Sequence, residues 1–222
     1  MSSPPTRSDT IDSVPAELQV DETGSSRIYH IYKPAFRRHY DIKSSSDEPL
    51  YYVNISSFTH NKPELTLHVG TNKTGPIIAA SKFLKLSADC KLALGDPEDL
   101  KTTQWEDMVR ESPIHSRYRL EMTIPSAEGN NHGERRVFLW KRTHSIKVED
   151  TRPFPWSMRS FKMVDEKTGQ VLAVFSRERS VSKCGQLQIR AEYGEDFDRM
   201  VLISGLSVFE KASGGGGGGG GG

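Results

Sequence analysis

Residues 196–212, with the sequence DFDRMVLISGLSVFEKA, constrain the fold more than any other part of the chain. The charges suit a helix, because Asp196 can cap it, Asp198 lies in the first turn and Lys211 lies in the last. A helix that is apolar on nearly all sides is either a membrane span or enclosed in protein, and this one is too short to span. We therefore expect it to be buried in the domain. Its apolar residues are Met200, Val201, Leu202, Ile203, Leu206, Val208 and Phe209.

The rest of the domain is dominated by alternation of apolar and polar residues with a period of two, which is typical of strands with one buried face. The clearest cases are residues 65–69, 90–94 and 118–122. Residues 160–164 and 170–177 predict a hairpin closed by Gly169. Further runs raise the number of strands to about a dozen. They are 27–33, 36–43, 50–55, 77–80, 83–86, 135–142 and 185–193.

One folded unit accounts for these strands and the helix. We expect a mainly β domain at residues 27–212, since a chain of 222 residues readily forms a single β domain. Residues 1–26 are rich in Ser, Pro, Thr and Asp, and residues 213–222 are Ser213 followed by glycine alone. Neither segment can bury enough apolar surface to offset the entropy of ordering, so we expect both to be disordered.

Composition excludes several classes of function. Lys and Arg total 30 and Asp and Glu total 29, so no global charge favours nucleic acid. Cys90 and Cys184 form neither a disulfide framework nor a metal ligand set. The first residues lack the apolar core of a signal peptide, and no segment has the length of a membrane span. We expect a soluble, cytoplasmic protein that is a monomer and binds no nucleic acid.

Catalytic motifs are also missing from the sequence. There is no Gly-x-Ser-x-Gly, and the glycine-rich residues 70–75 are followed by Pro76 where a phosphate loop requires Lys. The seven histidines show no helical spacing with a carboxylate. We predict no catalytic residue, no metal ligand and no cofactor, and therefore no enzyme activity.

Three segments carry a resemblance to a known family: the strand VFLWKRTH at residues 137–144, the hairpin at 161–175 and the ending MVLISGLSVFEK at 200–211. Together they resemble the tubby C-terminal-like superfamily, which includes phospholipid scramblases and LURP-one-related proteins, and the ending is most similar to uncharacterised fungal members. The resemblance implies a closed antiparallel β-barrel of about 12 strands around the helix, and association with phosphoinositides or other lipids. Scramblase-like members carry a Pro-rich N-terminal region and a run of cysteines. This chain has only Pro4-Pro5 and no such run, so we do not expect scramblase activity.

Clustered cations are the first candidate site, because lipid phosphates need several cationic donors on one surface. Arg37 and Arg38 are one pair. The other candidates for binding lipid headgroups are Lys82, Lys85, Arg135, Arg136, Lys141 and Arg142. The alternative is that all of these side chains lie on solvated outer faces of strands.

Two further groups are open to more than one interpretation. Glu192, Glu195, Asp196 and Asp198 match the position of a proposed calcium site in scramblase-like members, but carboxylates at a helix N-terminus are favourable without metal, and we prefer that explanation. We expect Trp140 in the core, whereas Trp156 in its proline-stiffened loop is a candidate membrane-inserting tip.

The sequence thus predicts a non-catalytic module that binds anionic phospholipid or phosphoinositide headgroups and is peripheral at a membrane. The alternative is a protein-interaction adaptor that uses the loops at residues 98–112 and 151–156. Co-flotation with phosphoinositide-containing liposomes distinguishes the two hypotheses.

Overall fold

Twelve antiparallel strands and one helix make up the described part of the computed structural model of the protein. The structure describes residues 26–56, 62–85, 87–99, 103–114, 116–125, 133–143, 146, 148, 160–178, 180 and 182–213. The strands are β1 Arg27–Tyr32, β2 His39–Lys43, β3 Pro49–Ile55, β4 Leu65–Val69, β5 Ile77–Phe83, β6 Cys90–Leu94, β7 Trp105–Arg110, β8 Arg117–Ile124, β9 Glu134–Arg142, β10 Phe161–Asp165, β11 Val171–Arg177 and β12 Lys183–Ile189. The helix is α1, Glu195–Ala212.

Each strand pairs with the next along the chain, and β1 pairs with β12 to close the barrel. Closure leaves no unpaired sheet edge, which removes the usual route to edge-to-edge aggregation. The alternation in sequence sets which side chains face inward: in β8, Tyr118, Leu120, Met122 and Ile124 are buried and the residues between them are not. The predicted closed antiparallel β-barrel with a C-terminal helix is confirmed.

The helix lies among the inward-facing side chains of the strands, with which it forms one apolar core. Its seven predicted core residues are at most 6% exposed. Phe197 packs edge-on against Phe138 with ring centroids 5.6 Å apart, and Phe209 packs against Phe175 at 5.1 Å. Among the described residues, no helix is both long and apolar enough to cross a membrane.

Polar side chains of the helix are satisfied inside the barrel. Trp140 Nε1 donates to Ser204 Oγ at 2.9 Å, and Ser207 Oγ lies 2.8 Å from Ser81 Oγ. Trp140 itself is fully buried, as expected.

The beginning of the helix differs from the prediction. It begins at Glu195 after Gly194, whose φ of 88° favours glycine, and no side chain caps it. Asp196 is therefore not the cap. Asp198 instead accepts hydrogen bonds from Arg27 at 2.6 and 2.9 Å, which fixes the first turn of the helix to β1.

Four strand predictions also need correction. Residues 185–193 form a strand only as far as Ile189, where β12 ends. Residues 36–43 form a strand only from His39, because Phe36 adopts a positive φ in a turn. Residues 77–80 and 83–86 are not two strands, since β5 runs unbroken to Phe83 and ends there. β7 lies in a region interpreted as a loop, because Glu106 breaks the apolar alternation at the position opposite Leu92.

The strand connections fall at two ends of the barrel. At the C-end, where α1 ends, Lys33 Nζ lies 2.6 Å from Glu210 and Lys211 Nζ lies 3.3 Å from the carbonyl oxygens of Ser87 and Asp89. At the N-end, where α1 begins, Arg27 contacts Asp198. The described residues of the C-end connections are 33–38, 56, 62–64, 84–85, 87–89, 111–114, 116, 143, 146, 148, 160, 178, 180 and 182, and those of the N-end connections are 44–48, 70–76, 95–99, 103–104, 125, 133, 166–170 and 190–194.

Candidate functional site

A groove of about 780 Å³ lies on the outer face of the barrel, across β3 to β7. This volume is within the range of about 300–1,000 Å³ that is typical of small-ligand sites. The groove is lined by Asn54, Ser56, Lys62, Pro63, Thr66, His68, Lys73, Ile77, Lys82, Lys91, Pro97, Glu98 and Trp105. We call it the lysine groove.

One row of aligned residues crosses the outer face of the barrel at the lysine groove. Across neighbouring strands, Asn54 pairs with Thr66, Thr66 with Ala80, Ala80 with Ala93 and Ala93 with Trp105. Strand alternation directs this row outward, since Ala79 and Leu92 face the core. Asn54, Thr66 and Trp105 of this row line the groove, whereas Ala80 and Ala93 in its middle are fully buried.

Cationic side chains reach the lysine groove from four places in the chain. Lys82 on β5 lies directly opposite Lys91 on β6, Lys62 precedes β4, and Lys73 lies in the connection after β4. Directly opposed like charges destabilise an antiparallel pair, so the fold itself does not favour this arrangement.

Carboxylates neutralise this charge only in part. Lys91 Nζ forms an ion pair with Asp107 at 2.8 Å. Within the described ranges, Lys62, Lys73 and Lys82 form no ion pair. Glu98 also lines the groove. The nearby Glu64 carboxylate accepts a hydrogen bond from the backbone N–H of Phe83 at 2.6 Å.

His68 supplies a fixed polar wall. Its Nδ1 lies 2.9 Å from the carbonyl oxygen of Gly75, so this nitrogen carries a proton and donates. Its Nε2 lies 2.9 Å from Thr66 Oγ1. Gly75 is required here, because a Cβ would lie 1.9 Å from the carbonyl oxygen of Val69. The ring is buried and orients the Thr66 hydroxyl in the groove.

The arginines predicted on β9 lie elsewhere and have carboxylate partners. Both terminal nitrogens of Arg135 donate to Glu106 at 2.5 Å. Arg136 lies 2.8 Å from Glu134 and 3.4 Å from Asp165, and also donates to the Tyr193 hydroxyl at 3.2 Å. Charge-assisted pairing of this kind leaves these two guanidinium groups poorly suited to receive a phosphate.

The other predicted cations are spread over the barrel. Lys141 lies between Arg117 on β8 and Lys162 on β10, whereas Arg142 donates to the Ile114 carbonyl oxygen at 3.1 Å. They lie at the opposite end of β9 from Arg135, roughly 20 Å away. Lys85 is exposed just after β5. Of the six predicted residues, only Lys82 lines the lysine groove, and the lipid role of the others stays a prediction.

The acidic group before α1 is engaged within the protein. Asp198 pairs with Arg27, and Arg199 contacts Glu195 at 2.5 Å and Asp196 at 3.1 Å. In the described part of the chain, no group of His, Cys, Asp and Glu residues could hold a metal ion. Trp156 and the loop 151–156 lie outside the described residues.

Neither cysteine is poised as a nucleophile near neutral pH. Burial raises the pKa of the Cys90 thiol and of the Cys184 thiol to about 12. Both therefore remain protonated thiols, and the thiolate is the reactive form.

Sequence reasoning missed Lys62, Lys73, Lys91 and Trp105 as members of one site. Alternation does place Lys91 on an outer face, but only the register of β5 against β6 brings it beside Lys82. Lys62 and Lys73 are isolated in the sequence and join the groove through the connections that flank β4.

Comparisons with known proteins add a resemblance of fold only. No model of a known protein family and no curated protein sequence matches the chain. The structure is similar to the X-ray structure of a protein from Arabidopsis thaliana, with a TM-score of 0.49 and 11% sequence identity over 85% of this chain and 91% of that one.

Proposed function

We propose that the domain is a non-catalytic module that binds the anionic headgroup of a phospholipid, in particular a phosphoinositide, in the lysine groove. The observation that carries the proposal is the pair formed by Lys82 and Lys91 directly opposite each other, with Lys62 and Lys73 at the same groove. A phosphate bound beside Lys82 and Lys91 would relieve their repulsion and accept charge-assisted hydrogen bonds from them.

Other features of the groove suit a phosphorylated polyol. Thr66 and Asn54 supply hydroxyl and amide groups at positions fixed by the sheet, and His68 orients the Thr66 hydroxyl. The Trp105 ring lines the groove at the β7 end of the row of aligned residues that begins at Asn54. The resemblance to tubby-like proteins implies the same class of ligand and supports the choice of probe.

The test is binding to phosphatidylcholine vesicles with and without phosphoinositide, measured by flotation and by titration. Lys82→Glu is the key variant, because a glutamate opposite Lys91 forms a favourable cross-strand pair and leaves the fold intact. At about 1 kcal/mol per charge near an anionic surface, a reversal should weaken binding by roughly 30-fold. Lys62→Glu should have a similar effect.

Lys141→Glu is the matched control. It makes the same charge change on the outer face of β9, four strand positions from Lys82 around the barrel. Equal binding by Lys82→Glu and the unaltered protein would refute the groove, and a selective loss in Lys141→Glu would move the site to β9. Failure of the unaltered protein to co-float at low salt would favour the adaptor function.

A further inference from the structure

The turn between β1 and β2 displays an aromatic ring in an unusual way. Arg37 N–H donates to the Pro34 carbonyl oxygen at 3.2 Å, which closes a four-residue turn with Phe36 in its third position. Phe36 has a φ of 61°, a left-handed conformation that a bulky residue rarely adopts. Its side chain is nonetheless fully exposed. Neither the strain nor the exposure is offset by a contact within the described residues.

The charges beside Phe36 identify what would cover it. Arg37 and Arg38 follow directly in sequence, both are exposed, and neither forms an ion pair among the residues that the structure describes. An exposed ring flanked by two free cations matches an anionic bilayer interface, where apolar side chains enter and cations contact phosphates.

The two ends of the barrel also differ in charge. In its described connections the C-end carries Lys33, Arg37, Arg38, Lys62 and Lys85 against Glu64, Asp89, Glu111 and Glu178. The N-end carries Lys73, Lys167 and Arg190 against Asp47, Glu48, Asp96, Glu98, Asp99, Glu166 and Glu192. The charges of the C-end nearly balance, whereas the N-end is strongly acidic, so a negative surface repels the N-end and favours approach by the C-end.

The lysine groove and the Phe36 turn share this end. Lys62 belongs to the connection between β3 and β4, and the carbonyl oxygen of Arg38 accepts the backbone N–H of Ile55, the last residue of β3. Lys82 lies one residue before the C-end terminus of β5. A bilayer that touches Phe36 therefore lies on the side toward which the cationic half of the groove is placed.

We propose that the Phe36-Arg37-Arg38 turn is a membrane anchor that inserts the Phe36 ring into an anionic bilayer and orients the C-end of the barrel toward it. This inference rests on the proposed function, because it assumes that the groove binds a headgroup of the same bilayer. The inserted residue is then Phe36, which is distant in sequence from Trp156, the membrane-inserting tip that the sequence suggested.

Phe36→Asn and Phe36→Trp are the paired variants. Asn tolerates positive φ and has no apolar ring, so it should keep or raise the unfolding midpoint while weakening binding to phosphoinositide vesicles by about tenfold or more. Trp keeps an aromatic ring and should bind at least as well as the unaltered protein. Affinity for a soluble inositol phosphate, measured by calorimetry, should be equal in all three proteins, because the groove is unaltered.

Insertion is read out directly with an environment-sensitive fluorophore on Phe36→Cys, with Ser46→Cys at the N-end as the control. On vesicles the label at residue 36 should shift to the blue and be quenched by brominated lipid, and the label at residue 46 should not change.

The outcomes separate the two proposals. Unchanged vesicle binding by Phe36→Asn, or an unshifted label at residue 36, would overturn the anchor and leave headgroup binding standing. Binding of soluble inositol phosphate without any vesicle binding would do the same. Binding of neither probe would remove the proposed function itself. A dimer of the unaltered protein that Phe36→Asn dissolves would identify a second copy as the occupant and overturn the anchor.

Discussion

A size-swap between Trp140 and Gly205 tests how the helix packs inside the barrel. A Cβ at Gly205 would lie 3.2 Å from Cζ2 and 3.3 Å from Cη2 of Trp140, so the ring occupies the space that the glycine leaves. The ring has little freedom to move, because it is fully buried and its Nε1–H donates to Ser204. Enlarging one residue and shrinking the other should therefore compensate.

The magnitudes follow from burial. Trp140→Ala should lower the free energy of unfolding by about 3–5 kcal/mol through the cavity it leaves. Gly205→Leu should lower it by about 2 kcal/mol, since overpacking of up to about 3 kcal/mol is offset by about 1 kcal/mol of helix propensity. In the double variant the leucine fills part of the cavity, and we expect a coupling free energy of about 2–3 kcal/mol.

The assay is urea denaturation followed by far-UV circular dichroism. Val53→Ala on β3 is the control partner for Gly205→Leu, because β3 and β9 lie on opposite sides of the ring of strands and distant changes should add. If the Trp140 and Gly205 changes add to within about 0.5 kcal/mol, the packing described here is refuted. Trp140→Phe with Gly205→Ala gives a milder version of the cycle should a single variant fail to fold.

Three other perturbations test the stability of the barrel. Leu202→Asp should abolish folding, because an unpaired carboxylate at this fully buried position costs several kcal/mol, and a soluble folded variant by circular dichroism would contradict an enclosed helix. Asp165→Ala should cost about 2 kcal/mol in urea midpoint measurements, since Oδ1 accepts from the backbone N–H groups of Lys167 and Thr168 at 2.9 and 2.8 Å; Asp165→Asn keeps that acceptor and should cost less, so equal losses would argue against this role. Stability should also fall in alkali, because burial raises the folded-state pKa of several thiols and phenols. Their stabilising contribution is complete below the unfolded-state pKa and is lost above it, by about 1.4 kcal/mol per pH unit and group. Burial lowers the pKa of Lys211, which has the opposite effect on stability in alkali. The thiols, Cys90 and Cys184, act from pH 9 upward and the phenols, Tyr29, Tyr40 and Tyr118, from pH 10, so tyrosinate absorbance that rose for all tyrosines near pH 10 in the folded protein would contradict the assignment.

The local sequence pattern was sufficient to predict strands with one apolar face and the apolar helix. β8 alternates without interruption and the middle of α1 is apolar on nearly all sides, so both can be predicted from the sequence. β7 cannot be predicted in this way, because Glu106 lies opposite Leu92, where it is stabilised by Arg135 from β9. That partner is 29 residues away in sequence, and no local period reports it.

The candidate site was harder to predict for a related reason. Clustered cations such as Arg135-Arg136 are conspicuous in sequence, yet carboxylates distant in sequence pair with them in the fold. The lysine groove has no such cluster, since its lysines are isolated in the sequence and Lys82 meets Lys91 only through the register of β5 against β6. Register is a nonlocal property, and it decides which charges remain unpaired.

Enclosure of α1 has a consequence for where any ligand can bind. The apolar side chains of the helix and of the strands fill the interior, so the barrel cannot hold a ligand along its axis as an open barrel of this strand number could. Binding must then use the outer face and the ends, where residues contribute little to the core. Substitutions at Lys82 or Phe36 should consequently change binding without lowering stability, whereas those at Leu202 or Trp140 should lower stability and change binding only through the unfolded fraction. A variant set that separated along this line would place the recognition surface outside the barrel independently of which ligand is used.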